Sequence, residues 1–194
     1  MARRSFSRNV LPWSGAAVLF AGLLLVVVAI SGGRAEKGPV PSALLLNTAD
    51  WKVVTPDLAD ATAETFDHRD STGSTVNARR WTIARDGDDI VVRQEVQRGR
   101  NKVTAHRSFG EKDPNAVLSA HFGALKKIGT DNAAHADEAT AYCVPRPAGC
   151  FIVEYWLRYG SYLVQLSMTG DGLEAGSGEA LLASLDPVIA AKVS

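Results

Sequence analysis

The sequence predicts an α+β fold: a mostly antiparallel sheet with helices on one face, in a two-layer domain behind an N-terminal apolar segment. Three observations predict it. Period-two alternation recurs through Asn77–Phe109 and again through Glu138–Thr169. Apolar residues at helical spacing follow each strand group, at Pro114–Ile128 and Glu179–Val193. An uncharged stretch, Asn9–Gly33, precedes both. Strands grouped with strands, each group closed by a helix, fit α+β rather than alternating βαβ units.

The uncharged stretch comes first. Its apolar heart, Leu11–Ile30, spans about 30 Å as a helix, the thickness of a bilayer's hydrocarbon core. Pro12 would sit in the first turn, where its missing N–H is harmless, and Trp13 near the interface. Arg3, Arg4 and Arg8 precede the stretch; Arg34 and Lys37 follow it, offset by Glu36. The positive-inside rule then gives a cytoplasmic N-terminus at 1–10 and a transmembrane helix or long signal segment at 11–33. A linker at 34–41 and an extracytoplasmic α+β domain at 42–194 complete the expected division. The expected location is the cell membrane, single-pass, with the lipid bilayer met through residues 11–33. Cleavage near Ser31 or Ala35 would instead make a secreted protein. No cysteine lies at the end of the segment to take a lipid.

The remaining length suits one domain with a real core. From Gly38 to Ser194 there are 16 Lys+Arg and 20 Asp+Glu, a mildly acidic balance of about −4. Nucleic acid is therefore not an expected partner, since binding it needs a basic field. Arginine outnumbers lysine 14 to 7, and alanine is abundant, the usage of a GC-rich bacterial genome. The two cysteines, Cys143 and Cys150, stand in CVPRPAGC. An even count outside the cytoplasm reads as a disulfide stapling a turn between two strands. A redox pair would be spaced closer, and structural zinc needs four ligands.

Within the domain, Ser42–Asp50 reads as a short helix capped by Ser42 and leading into Trp51. Thr55–Ser74 is polar and turn-rich and reads as a loop with room for a short helix. Asn77–Arg85, Ile90–Gln97 and Lys102–Phe109 read as a three-stranded meander, turning at Asp86-Gly87-Asp88 and at Gln97–Asn101. A helix follows, with Asp113 as N-cap, Pro114 in its first turn and Gly129 as its stop. Its apolar stripe is Val117, Leu118, His121, Phe122, Leu125 and Ile128. Strands at Glu138–Val144, Cys150–Arg158 and Tyr162–Thr169 come next, then a loop at Gly170–Gly178. Ser177 would cap a last helix, Glu179–Val193, buried through Leu181, Leu182, Leu185, Val188 and Ile189 and kinked or ended at Pro187.

No catalytic motif with mechanical content is present, and neither a cofactor nor a metal site is expected. His68, His106, His121 and His135 are scattered. His121 reads as a partly buried, hydrogen-bonded histidine rather than a ligand or base, and His135, near Asp131, Asp137 and Glu138, as part of an exposed polar loop rather than a metal ligand. Two candidate surfaces remain. Arg98, Arg100 and Lys102 form a basic hairpin, able to touch anionic headgroups or an acidic partner, or simply to guard a strand edge. Trp156, Arg158 and Tyr159 are the candidate ligand-binding residues: if Trp156 is exposed between Glu154 and Arg158 it makes a binding floor, and otherwise it is core.

Ala43-Leu-Leu-Leu-Asn-Thr-Ala-Asp50, Arg158–Ser167 and Glu179–Val193 together resemble the exported sensor or lipoprotein-type α+β domains of actinobacteria, including receptor-kinase ectodomains. The resemblance implies binding of a ligand or partner rather than catalysis. It carries over no site residue, and the chain departs from it in lacking a lipid-anchor cysteine. The expected function is a non-catalytic, membrane-anchored extracytoplasmic binding or interaction module of the cell envelope, taking a small ligand or an envelope protein. One alternative is an accessory subunit of a membrane complex, associating through the span, where Ala17 and Ala21 give small-xxx-small spacing. The other is an envelope hydrolase using His106 or His135 with nearby carboxylates.

Overall fold

The computed structural model describes residues 35–52, 61–70, 73–83, 89–111, 114–147, 149–173 and 175–194. The apolar stretch at 11–33, the 1–10 terminus, the Asp86–Asp88 turn and the Asp113 cap lie outside them. Among the described residues, no helix is long and apolar enough to cross a membrane.

Ala35–Ser194 forms one unit around a seven-stranded antiparallel sheet. The strands are β1 (Thr62–Arg69), β2 (Thr75–Ile83), β3 (Ile90–Arg98), β4 (Lys126–Lys127), β5 (Glu138–Arg146), β6 (Gly149–Tyr159) and β7 (Tyr162–Leu173). Their spatial order is β1-β2-β3-β7-β6-β5-β4, so β7 enters the middle and joins two meanders. The helices are α1 (Thr48–Lys52), α2 (Lys102–Glu111), α3 (Pro114–Phe122) and α4 (Ala175–Val193), with a 3₁₀ turn at Pro41–Leu44. The α+β class is the expected one.

Residues directly opposite across an antiparallel ladder share a face. The register therefore puts Trp81, Val92, Val164 and Leu157 on one face, and Ala78, Glu95, Gln165 and Trp156 on the other. The first face is the core. Leu182, Leu185 and Ile189 of α4 and Leu44 and Leu46 of the N-terminal segment are buried there to 1% exposure or less. Gln94, fully buried in the middle of this face, accepts the Leu46 N–H (2.7 Å) and donates to the Leu44 carbonyl (3.3 Å). That satisfies backbone groups that a buried non-helical segment would otherwise leave unpaired. α4 and the 3₁₀ turn thus share a face. α2 does not join them: its His106 reaches Glu138, which the register puts on the opposite face with Trp156 and Arg158.

Several boundaries differ from the sequence reading, each for a local reason. Lys102–Phe109 is not a third strand but lies in α2. Asn101 accepts the Thr104 N–H on its side-chain oxygen, and the Thr104 hydroxyl accepts the Asn101 N–H, a reciprocal N-terminal cap. The polar run Thr55–Ser74 contains β1, an edge strand. Its residues are mostly exposed, which is why no alternation marks it. The meander is therefore β1–β2–β3, displaced one strand toward the N-terminus. The expected helix at Ser42–Asp50 is split, because Leu45 and Leu46 dip into the core between the 3₁₀ turn and α1. Asn47, not Ser42, caps α1, accepting from the Ala49 and Asp50 N–H groups.

α3 ends at Phe122, not at Gly129. Gly123 adopts φ +80° and its N–H returns to the Ser119 carbonyl, a left-handed C-terminal stop. Ile128 is buried as part of the extended segment beside β5, while His121 is exposed. β7 continues to Leu173, and α4 begins at Ala175, ahead of Ser177. α4 also continues through Pro187. The carbonyl that Pro187 cannot serve belongs to Ala183, which is exposed to water.

Candidate functional site

The Cys143–Cys150 disulfide is formed, with Cα atoms 5.6 Å apart, and staples the β5–β6 turn. It fixes one end of the β5–β6–β7 block. The candidate site is at the other end of β6, where Tyr159-Gly160-Ser161-Tyr162 reverses the chain. Gly160 takes φ +58°, a left-handed conformation that glycine adopts without a steric penalty. The turn opens an exposed pocket of about 330 Å³, walled by Glu36–Gly38, the start of α2, His135 and the last turn of α4.

A closed network stands at the edge of this pocket. Asp186, on α4, is 1% exposed. One carboxylate oxygen accepts the Tyr159 hydroxyl (2.7 Å). The other accepts both the His135 backbone N–H (2.8 Å) and its ring Nδ1 (2.8 Å). Asp186 therefore fixes the imidazole with its Nε2 edge directed away from the carboxylate, and the His135 side chain stays 56% exposed. Burial, followed by the bond to Asp186 and its charge, pushes the Tyr159 phenol far above its ordinary value of 10. Tyr159 is thus a neutral hydrogen-bond donor at any physiological pH.

The N-terminal segment is tied into the same corner. The Glu36 N–H donates to the Arg100 carbonyl (3.1 Å), and its carboxylate accepts the Lys102 N–H (3.4 Å). Arg98 donates to the Glu36 and Gly38 carbonyls and lies over the Tyr162 ring, 5.3 Å from its centroid. Tyr162 donates its hydroxyl to the Pro39 carbonyl (2.8 Å). Residues 36–39, expected as linker, are a bonded strap on the domain.

Of the candidate ligand-binding residues, only Tyr159 lines the pocket. Trp156 is half-buried on the polar face, its indole N–H donating to Glu154 (2.6 Å). Arg158 is held by Glu138 (2.7 Å), Asp137 (3.1 Å) and the Gly160 carbonyl (3.0 Å) and positions the turn. The basic group divides as well. Arg98 holds the strap, Arg100 is exposed, and Lys102 begins α2 at the pocket wall. His135 is anchored by Asp186, a residue 51 positions away whose approach no local pattern announces. Asp137 lines the same pocket but is held by Arg158 and the Gly160 N–H, and among the described residues no three His, Cys, Asp or Glu side chains are placed to hold a metal ion. His106 bonds Glu138 (2.5 Å) on the other face.

Glu154 marks the polar face. Desolvation by burial raises its pKa above 4.5, and the Glu95 carboxylate adds to that rise. The Trp156 and Gln165 hydrogen bonds and the Arg93 charge oppose it. Glu95 in turn pairs with Arg93 and lies 3.7 Å from His68. Set against protein-family models, curated proteins and solved structures, the chain matches none.

Proposed function

We propose that this chain is a single-pass, membrane-anchored binding module of the bacterial cell envelope, with its α+β domain outside the cytoplasm. The observation that carries the binding role is the open pocket at the β6–β7 turn, where Asp186 holds His135 and Tyr159 in fixed orientation. Polar groups locked before a ligand arrives reduce the ordering cost of binding it. The apolar stretch with its flanking arginines supports the anchor, and the Cys143–Cys150 bond is of the kind that persists in oxidising compartments.

Fractionation of the tagged full-length protein, with intact mass and thiol labelling, tests the anchor. The expected outcome is a full-length membrane-bound product whose thiols react only after reduction. A soluble product trimmed near Ser31 or Ala35 would replace the anchor with secretion.

The envelope hydrolase is a second reading favoured by one observation: a buried carboxylate orienting an exposed imidazole is the arrangement of a general base. Ser161 lines the same pocket, but no hydrogen bond joins it to His135, which favours binding over nucleophilic attack. Turnover of p-nitrophenyl acetate that disappears in His135→Ala would reverse that preference.

A further inference from the structure

We infer that the pocket at the β6–β7 turn takes a small organic anion, one carrying a phosphate or carboxylate group on an apolar or ring body. The inference rests on the binding-module reading and names its ligand class.

The charges lining the pocket are unequally committed. Asp137 is engaged, accepting from Arg158 (3.1 Å), which also holds Glu138, and from the Gly160 N–H (2.6 Å). Glu36 is spent on the Lys102 N–H at the start of α2, a long contact of 3.4 Å. Lys37 and Lys102 also line the pocket, and their ammonium groups make no ion pair among the described residues. Lys37 and Lys102 are thus the uncommitted charges of the pocket, and an anion placed between them gains two cationic partners.

A second observation is independent of charge. Ser161 is 3% exposed, yet it lines the pocket, and its hydroxyl has no hydrogen-bond partner among the described residues. The residue is otherwise enclosed, so its hydroxyl is open only to the pocket and is available to what enters there. The α2 N-terminus sits beside it: Lys102 is the first residue of a ten-residue helix, where backbone N–H groups and the helix dipole favour negative charge. The weak Glu36 contact occupies that position until a stronger acceptor displaces it.

The rest of the wall is apolar. The Tyr162 ring, Ala190 and Val193 line it, which suits a ligand with a body as well as a charge. A phosphate or carboxylate bound by Lys37, Lys102 and the Ser161 hydroxyl would lay that body toward α4, with the exposed edge of His135 within the same pocket.

The experiment uses the full chain in nonionic detergent, with the His135 ring resonances as reporter. The probes are phenyl phosphate, benzoate, benzyl alcohol and benzylammonium. At least one anion is expected to bind saturably, about tenfold or more tighter than benzyl alcohol, and to weaken as salt is added. The order of phenyl phosphate and benzoate identifies which anionic group the site prefers. Lys37→Gln with Lys102→Gln should weaken the preferred anion by about tenfold or more, and Ser161→Ala by a smaller factor. Both lysines are exposed, so the fold survives their replacement. Equal binding of benzyl alcohol or benzylammonium, indifferent to the lysines, overturns the anion assignment and leaves the binding module standing. If none of the four probes moves the His135 signals, both fall.

Discussion

One face of the sheet carries Trp81, Val92, Val96, Val164 and Leu157 beneath α4; the other carries Arg93, Glu95, Glu154, Trp156 and Arg158. Both faces are substantially buried along β6, where hardly a residue is open to solvent. They differ in how burial is made tolerable. The apolar face excludes water with side chains that need no partner. Two of its polar guests, Gln94 and Asp186, are satisfied by backbone, tyrosine and histidine groups, while the Tyr155 hydroxyl is buried there with no partner among the described residues. The polar face lets charges neutralise one another, through Arg93–Glu95 and Arg158–Glu138, and gives Glu154 the Trp156 indole N–H as a donor. The first arrangement supplies stability. The second supplies fixed geometry at modest net gain, because desolvating charges offsets much of their attraction. The pocket lies at the β6–β7 end, where strand residues, the strap and the helices α2 and α4 meet.

The largest effect should come from the apolar face. Leu185 is fully buried on the core side of α4, and Leu185→Ala should cost about 2–5 kcal/mol through lost burial and the cavity left behind. Chemical denaturation would read this as a lower midpoint with an unchanged slope. Next is the staple. Replacing Cys143 and Cys150 together by serine should cost about 2–3 kcal/mol, since the closed loop is short. The same loss should appear in the wild type on reduction, which ties it to the bond rather than to the new side chains.

The polar face should respond in the opposite sense. The buried Glu154 carboxyl holds its proton more tightly in the folded state than in the unfolded chain, chiefly because of desolvation and then because of Glu95. A raised carboxyl contributes stability below its unfolded value near 4.5, and loses that contribution as pH rises through the raised value. Above the raised value the ionised Glu154 is a liability. Glu154→Gln should therefore raise the unfolding temperature at pH 7, and the advantage should shrink as pH falls toward 4.5. A pH-independent difference between the two proteins would mean that Glu154 is not the titrating group. Arg93, Gln165 and Trp156, which surround it from β3, β7 and β6, favour the carboxylate, and the rise is what remains after they have opposed it.

The two faces also differ in how far the sequence announces them. Alternation in Ile90–Gln97 and Tyr162–Thr169 exposes the apolar face directly, and Leu181, Leu182, Leu185 and Ile189 mark the helix that covers it. The CVPRPAGC spacing likewise announces the staple. What is hidden is whatever depends on partners far along the chain. β1 has no apolar alternation, because an edge strand is held by the ladder to β2 rather than by its own burial. α2 mimics a strand through Val103, Ala105, Arg107 and Phe109, although only Ala105 is buried. Its real signal is Asn101 three residues before Thr104, a capping pair rather than a hydrophobic period. At the site, Tyr159 was legible as an aromatic beside a turn. The Asp186 that locks it was not, since it stands on a helix 27 residues away in an otherwise apolar stripe. An acidic residue immediately before Pro187 and between Leu185 and Ile189 is the one local hint, a charge placed where burial is expected.

The smallest effect should fall on the open edge, where neither strategy operates. Arg80 and Glu64 face each other across β1 and β2 at 2.5 Å, with side chains 48% and 59% exposed. Water screens such a pair and the ordering of two long side chains opposes it, so Arg80→Ala should shift stability by no more than about 0.5 kcal/mol. The Arg80 guanidinium also stands 6.0 Å from the Phe66 ring centroid, at the outer limit of a useful cation–π contact. Arg93 approaches the same ring more closely, at 5.3 Å, and remains to cover it. A loss in Arg80→Ala well beyond this bound would show that β1 depends on its exposed charges as well as on the ladder to β2.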